Sequence, residues 1–364
     1  MFEMPNLTRY SLFSQGPLAV TFFFVLSGFL ITYLLLREHE QCTRIDVSRF
    51  YVRRALRIWP VYFLMVFIGL VLIPAGIKLG RVRYAAPFHS LDVAPYFLLF
   101  VPFIVNLKYG NHFLTPLWSV GIEEMYYLAW APIAKWFRRR VAWILLGTVI
   151  IKTVLVIGVH HVAPNAAVEE ALRMLQFEAM AIGGLAAYFL FHRTRPLDVH
   201  WLFSRRAQVV LLSLLLIRLL FHNVAAKAMP PYALMFDDPV YSPLLLMVVF
   251  AWFILNVAAN KRSMLRLDVP PLNYLGDISY GIYLYHALAI SLIFVPLRHK
   301  YEAAPFLPAT LLLHVLVAAI TLVLAATSKA FFEDKFLRYK RRFQTPADRS
   351  EVVGRCNHQP SIAA

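Results

Sequence analysis

Two acids stand side by side in an apolar stretch, LTPLWSVGIEEMYYLAWAP, residues 114–132. An ionised carboxylate at bilayer depth costs a few kcal/mol on insertion scales, so Glu123 and Glu124 need a cavity or a partner. Adjacent helical residues point about 100° apart, so the two cannot face one partner together. One reading makes them functional. The other pairs one of them with an intramembrane arginine such as Arg218, deep in LLLIRLLF. Trp118 and the Tyr126-Tyr127 pair also suit an interfacial aromatic belt.

A second constellation is FYVRRALRIWPVY, residues 50–62. Arg54 and Arg57 are three apart and share a helix face, with Arg53 beside them. Two guanidiniums on one face can clamp a phosphate with forked hydrogen bonds. The same arginines at a helix end can equally anchor to lipid headgroups and set orientation. Pro60 predicts a bend. The third constellation is LGDISYGIYLYHALAI, residues 275–290. Ser279, Tyr283 and His286 fall on one helical face, with Tyr280 next to it. His286 can exchange a proton near neutral pH. Such polar residues also simply hydrogen-bond one membrane helix to another. Lys152, Arg173, Glu178 and His314 lie singly in or near apolar runs. No H-E-x-x-H or H-x-x-E-H occurs, so no metal site is expected. There is no glycine-rich phosphate loop and no GxSxG elbow.

These groups must be positioned inside a bilayer. The 364 residues are 60% hydrophobic and 15% charged, against about 25% charged in soluble proteins. Mean hydropathy is +0.62. This implies an all-α, polytopic transmembrane helix bundle. The net charge is +16. The basic residues cluster at the ends of apolar runs, as the positive-inside bias requires, so a nucleic-acid partner is not expected. Cys42 and Cys356 are far apart, in polar stretches, and do not form a disulfide framework.

Apolar segments lie at 17–36, 57–77, 91–107, 115–136, 141–160, 171–192, 207–222, 241–259, 272–297 and 306–331. The 91–107 run is short and carries Pro95 and Pro102. If it does not cross, the basic linkers at 37–57, 135–140, 193–206, 260–266 and after 329 all fall on the cytoplasmic side. The chain then has about nine spans plus one re-entrant segment. The expected layout is an external N-terminal segment, 1–16, a transmembrane domain, 17–338, and a polar, disordered cytoplasmic tail, 339–364. The first span is too long, and its flanks are wrong, for a cleaved signal. It holds Ser27 and Gly28, which a plain anchor does not need. They read as a point where another helix or an acyl chain approaches the backbone.

FFFVLSGFLIT (22–32), RFYVRRALRIWPVY (49–62), LWSVGIEEMYYL (117–128) and LGDISYGIYLYH (275–286), in this order, resemble the membrane-bound acyltransferase-3 family. FFEDKF (331–336) looks like a variant of that family's terminal element. The resemblance implies an integral protein of the bacterial inner membrane, with its C-terminus cytoplasmic. It implies transfer of an acyl group, commonly acetyl, from cytoplasmic acyl-CoA to a hydroxyl of a glycan, lipid-linked sugar or similar acceptor. No tightly bound cofactor is implied. The family's R-x-x-R maps onto Arg54 and Arg57, thought to contact the CoA phosphates. Its acidic motif maps onto Glu123 and Glu124 beside Trp118 and Ser119, and its later motif onto Ser279, Tyr280 and His286. Family members usually carry one more span ahead of this pattern, with a histidine thought to be the catalytic base. MFEMPNLTRYSLFSQG, residues 1–16, holds no histidine. The base is therefore not carried over, and His286 and Glu123 are the substitutes. The alternatives are a transporter or flippase using Glu123, Arg218 and His286, or an inactive relative of the same fold.

Overall fold

The computed structural model describes residues 16–79, 87–162, 164–193, 197, 200–238, 240–303 and 307–343. The expectations for residues 1–15 and 344–364 lie outside them. The described residues are helical, with no strand among them. Six helices are both long and apolar enough to cross a membrane: Gly16–Cys42 (α1), Val47–Lys78 (α2), Arg138–Val162, Ala166–His192, Tyr241–Ala259 and Leu311–Lys340. A seventh arises if Arg205–Leu220 and His222–Ala228, bent by 100°, count as one. Nine spans were expected. Two further helices have the length: Leu117–Trp136, with 20 residues, and Pro270–Ala303, with 34. The first is made less apolar by the acid pair it carries.

Residues 91–107 do not form a span. They make two short helices, Ser90–Leu98 (α3) and Phe103–Tyr109 (α4), of nine and seven residues. At 1.5 Å per residue these reach about 14 and 11 Å, far short of a hydrocarbon core of about 30 Å. Between them Phe100 takes a φ of 58°. Leu117–Trp136 is α5. Val141–Ile157 is α6, and the next span divides into Ala166–Met174 (α7) and Phe177–His192 (α8). After them come Arg205–Leu220 (α9), His222–Ala228 (α10), Pro230–Phe236 (α11) and Tyr241–Ala259 (α12). Pro270–Ala303 is α13, Leu307–Ser328 is α14 and Asp334–Lys340 is α15.

Three details differ from the sequence reading. The second span was expected over 57–77, but α2 starts at Val47, so its arginines lie within the helix. It runs through Pro60, and its irregular turn comes later, at Ile68–Leu72. The C-terminal stretch assigned from 339 continues as helix to Lys340 and a turn to Phe343.

α1 runs beside α8 in the same direction, with Thr21 at Gln176 and Tyr33 at Phe191. A Cβ on Gly28 would lie 2.0 Å from the Met180 carbonyl oxygen, and one on Gly183 1.9 Å from that of Val25. Only glycine lets the two backbones approach so closely, the usual solution where lipid offers no hydrophobic drive between helices. Buried Ala179, Ala181, Ala186 and Ala187 line the same part of α8. The close-packing expectation for Gly28 therefore holds.

The basic linkers gather at one end of the bundle. Arg138 contacts His39. Arg53 donates to the Phe343 carbonyl at 3.2 Å, and Asn260 to that of Phe203 at 2.9 Å. Tyr33 and Phe191 meet near the same end, at 6.4 Å between ring centroids. At the other end Thr21 donates to Gln176 at 2.8 Å, and His160 lies 3.5 Å from Glu169. The grouping is the one the charge pattern predicts.

Candidate functional site

On α5, Ser119, Glu123 and Tyr127 recur at i, i+4 and i+8, so they form one stripe about 12 Å long. Each reaches a different helix. Glu123 is 3% exposed. Its Oε1 accepts from Ser27 Oγ of α1 at 2.5 Å and from the Tyr127 hydroxyl one turn away. Gly28 lets α1 press onto α8, and that packing fixes Ser27 beside it. The Arg54 guanidinium lies over the Tyr127 ring, 5.2 Å from its centroid, and 5.7 Å from that of Phe50. Cation–π contact holds an arginine without neutralising it, so its hydrogen-bond donors stay available for an anion. Arg57, one turn on, is exposed.

Arg53 faces elsewhere. It is buried and pairs with Glu38 at 2.9 Å. Glu38 also accepts the Asp46 backbone N–H at 3.0 Å. Arg53 therefore ties the α1–α2 turn and the C-terminal turn together, away from the Arg54–Arg57 face.

Glu124 points to a different partner from Glu123, as their 100° separation requires. It accepts from Trp59 Nε1 at 3.2 Å, while its Oε1 is buried with no hydrogen-bond partner. The α3–α4 break closes this side. Phe100 stacks on Tyr62 at 4.5 Å and lies 5.5 Å from Trp59. A Cβ on Gly121 would meet the Phe100 carbonyl oxygen at 2.5 Å, so a glycine there admits the break. Neither acid pairs with Arg218. Tyr126 and Tyr127 are buried, 7% and 2% exposed, so they are bundle residues and not an interfacial belt.

At the other end of the stripe, Ser119 is fully buried and lies 2.6 Å from the Tyr283 hydroxyl. Tyr283 also donates to the Pro116 carbonyl at 3.1 Å. Tyr280 donates to the Ile58 carbonyl at 2.9 Å, which joins α13 to α2. His286 Nδ1 bonds the Tyr283 carbonyl. A carbonyl only accepts, so Nδ1 carries the proton and Nε2 is left with the lone pair. Ser279 does not join this group. It is exposed and donates to its own helix, at Gly276, at 2.8 Å.

Tyr283 and His286 border a cavity of about 700 Å³, with Trp118, Lys152, Glu178 and Arg218 also in its lining. The opening residues of α1 and α12 line it too, so it lies at the end away from Arg54. Trp118 stands edge-on to Phe24 at 5.9 Å. The carrier alternative needs Glu123 on one path with Arg218 and His286, but Glu123 is not in the lining.

Sequence reasoning missed two features. Lys152 Nζ donates to the Leu172 and Leu175 carbonyls at 2.5 Å and lies 3.3 Å from Glu178. It thereby satisfies carbonyls freed where α7 gives way to α8. The opposite charges of Lys152 and Glu178 in apolar runs were the available signal. The second is Glu333, buried in FFEDKF. Its Oε1 accepts from Ser328 at 2.9 Å, and Ser328 accepts from Tyr285 at 2.8 Å.

A sequence profile described as an acyltransferase domain, Acyl_transf_3, matches residues 3–327. The chain is 25% identical over 313 residues to the peptidoglycan O-acetyltransferase OatA of Listeria monocytogenes, covering 78% of this chain and 46% of that one. It is 24% identical over 339 residues to a Staphylococcus aureus protein provisionally named an O-acetyltransferase, covering 88% and 52%. A Bacillus subtilis protein provisionally named peptidoglycan O-acetyltransferase YrhL is 34% identical over 122 residues, 32% of this chain and 19% of that one. The chain thus spans about half the length of the first two relatives. No solved structure matches. With the profile covering most of its length, the chain belongs to the acyltransferase-3 family.

Proposed function

We propose that this chain transfers an acyl group, acetyl in the simplest case, from an acyl-CoA thioester to a hydroxyl of a carbohydrate. The observation that carries the reading is the α5 stripe. It links Arg54 over Tyr127 to Glu123 and, one helical turn on, Ser119 to Tyr283 at the cavity. A donor held by phosphate at one end and an acceptor at the other would meet along it. The names of the relatives support an acetyl group and a glycan acceptor.

In this reading Arg54 and Arg57 grip the CoA phosphates from the basic, cytoplasmic end. The thioester then extends along the stripe toward Ser119 and Tyr283. An alcohol is a poor nucleophile until its proton is taken. Nε2 of His286 takes that proton, since Nδ1–H is held by the Tyr283 carbonyl. The hydroxyl oxygen attacks the thioester carbonyl, and the developing oxyanion is stabilised by the Tyr283 hydroxyl, which turns from the Pro116 carbonyl to donate to it while Ser119 donates to Tyr283. The C–S bond breaks, and the CoA thiolate leaves with the proton returned by the imidazolium. Glu123 anchors the hydroxyls of Ser27 and Tyr127, and through Tyr127 it sets the ring on which Arg54 rests.

The test is transfer of radiolabelled acetyl from acetyl-CoA to carbohydrate in membranes carrying the full natural chain. Label is expected in an alkali-labile ester on sugar. His286→Gln should remove the acid limb of the pH–rate profile. Membranes that never move label from acetyl-CoA to any carbohydrate pool would overturn the reading.

A further inference from the structure

We propose that the 700 Å³ cavity is the acceptor subsite, and that it is built for an uncharged sugar. This rests on the transfer reading above. The volume falls in the range of roughly 300–1,000 Å³ typical of small-molecule sites. Its chemistry narrows the occupant. The charged lining balances, with Lys152, Arg173 and Arg218 against Glu169, Glu170 and Glu178. Much of that charge is paired within the wall. Lys152 lies 3.3 Å from Glu178, Arg173 3.0 Å from Glu170, and His160 3.5 Å from Glu169. A phosphate or carboxylate entering here would meet no excess of positive charge. Desolvating it would go uncompensated.

What the wall does offer is neutral hydrogen bonding and an aromatic face. Asn106 borders the cavity and is 5% exposed. Its Nδ2 donates to the Thr115 carbonyl at 3.3 Å, which leaves Oδ1 as the acceptor. That Oδ1 is buried with no hydrogen-bond partner. Buried polar atoms are nearly always satisfied, so an orphan acceptor within the cavity wall is a group that a donor can satisfy once an occupant turns the Asn106 amide toward it. A sugar hydroxyl or acetamido N–H supplies one. Asn111 and Gln176 add amides, and Trp118 an aromatic surface, around the same space. Tyr283 and His286 place the reacting end of the stripe in the same lining.

The test separates binding from chemistry. Cys42 and Cys356 are replaced by serine, and Val156→Cys places a thiol in the cavity wall. The protein is held in nanodiscs, so no sugar-headed detergent competes. An uncharged β-1,4-linked N-acetylglucosamine tetramer should slow maleimide labelling at 156 at least fivefold, and a hexuronate tetramer of equal length should not. Labelling of Arg139→Cys, on the other end, should be unaffected. Asn106→Leu should raise the half-protecting tetramer concentration tenfold or more, and Val159→Trp, filling the space, should abolish protection. Unchanged labelling at saturating tetramer, or equal protection by the hexuronate, would overturn the proposal. Acetyl transfer is measured on the same preparation. Transfer without protection removes this site and leaves the activity. Protection without transfer removes the activity and leaves the site.

Discussion

Three neighbouring arginines do different work. Arg54 rests on the Tyr127 ring and Arg57 is exposed, so their shared face is open to an anion. Arg53 is held in a buried pair with Glu38. Arg54→Ala combined with Arg57→Ala should raise KM for acetyl-CoA by about a hundredfold or more. Hydrogen bonds to charged groups contribute about 1.5–3 kcal/mol each, and a tenfold change is about 1.4 kcal/mol. An unchanged KM with normal membrane insertion would make the pair lipid anchors. Glu123→Ala leaves the Ser27 and Tyr127 hydroxyls without an acceptor, at about 1–3 kcal/mol each. It should lower kcat tenfold or more, with a smaller loss for Glu124→Gln, whose partner is a single exposed tryptophan. Equal losses in the two variants would argue against a special place for Glu123. The shared face of Arg54 and Arg57 was legible from their spacing. The pairing of Arg53 was not, because Glu38 comes from the preceding helix across a turn. The two acids were legible as having two surroundings, but Ser27 as a donor to Glu123 was not, since it lies 96 positions away.

Among the elements, the α1–α8 pair bears most on the site, because it presents Ser27 to Glu123. Gly28→Ala or Gly183→Ala puts a methyl into backbone that already lies about 2 Å from where it would sit. Overpacking of this kind typically costs about 1–3 kcal/mol. Both variants should yield less monodisperse protein on size exclusion and a lower melting temperature, whereas Gly147→Ala, with open space around it, should not. Gly28 was legible as a close approach from its place in an apolar helix. Its partner was not, since FEAMAIGGLAAYFLFH, residues 177–192, reads as a plain span. The α3–α4 element was legible as a non-crossing segment from its two prolines and its length. Its packing on Gly121 and Tyr62 had no sequence signal. In the loop that follows it, His112 lies edge-on to Phe88 and Phe97, at 5.0 and 6.3 Å. Burial lowers its pKa to about 4. A histidine held neutral stabilises the fold above its unfolded pKa of about 6.5. That contribution is lost as pH falls toward 4. The melting temperature of the solubilised protein should therefore drop more between pH 7 and pH 4.5 than that of His112→Phe. Parallel losses in the two would remove His112 from that account.

For the whole molecule, charge is the property that orients the bundle, and it was legible before any helix was placed. Excluding 91–107 from the spans was enough to bring five basic linkers to one side, and the structure collects those linkers at one end. The cavity lies at the other end, with the stripe of α5 between them. If the basic end faces the cytoplasm, as the positive-inside bias requires, the Arg54–Arg57 pair and the cavity open to opposite sides of the membrane. With the proposed transfer, the protein would then move an acyl group across the bilayer. Single cysteines in a chain carrying Cys42→Ser and Cys356→Ser decide this. Asn111→Cys and Ala166→Cys, both at exposed positions near the cavity end, should react with an impermeant maleimide in intact cells. Arg139→Cys and Met264→Cys, exposed in the basic linkers, should react only after permeabilisation. Labelling of Arg139→Cys in intact cells would invert the bundle and put the arginine pair out of reach of cytoplasmic CoA. The transfer reading would then need its donor on the other face, which the balanced charge of the cavity does not favour.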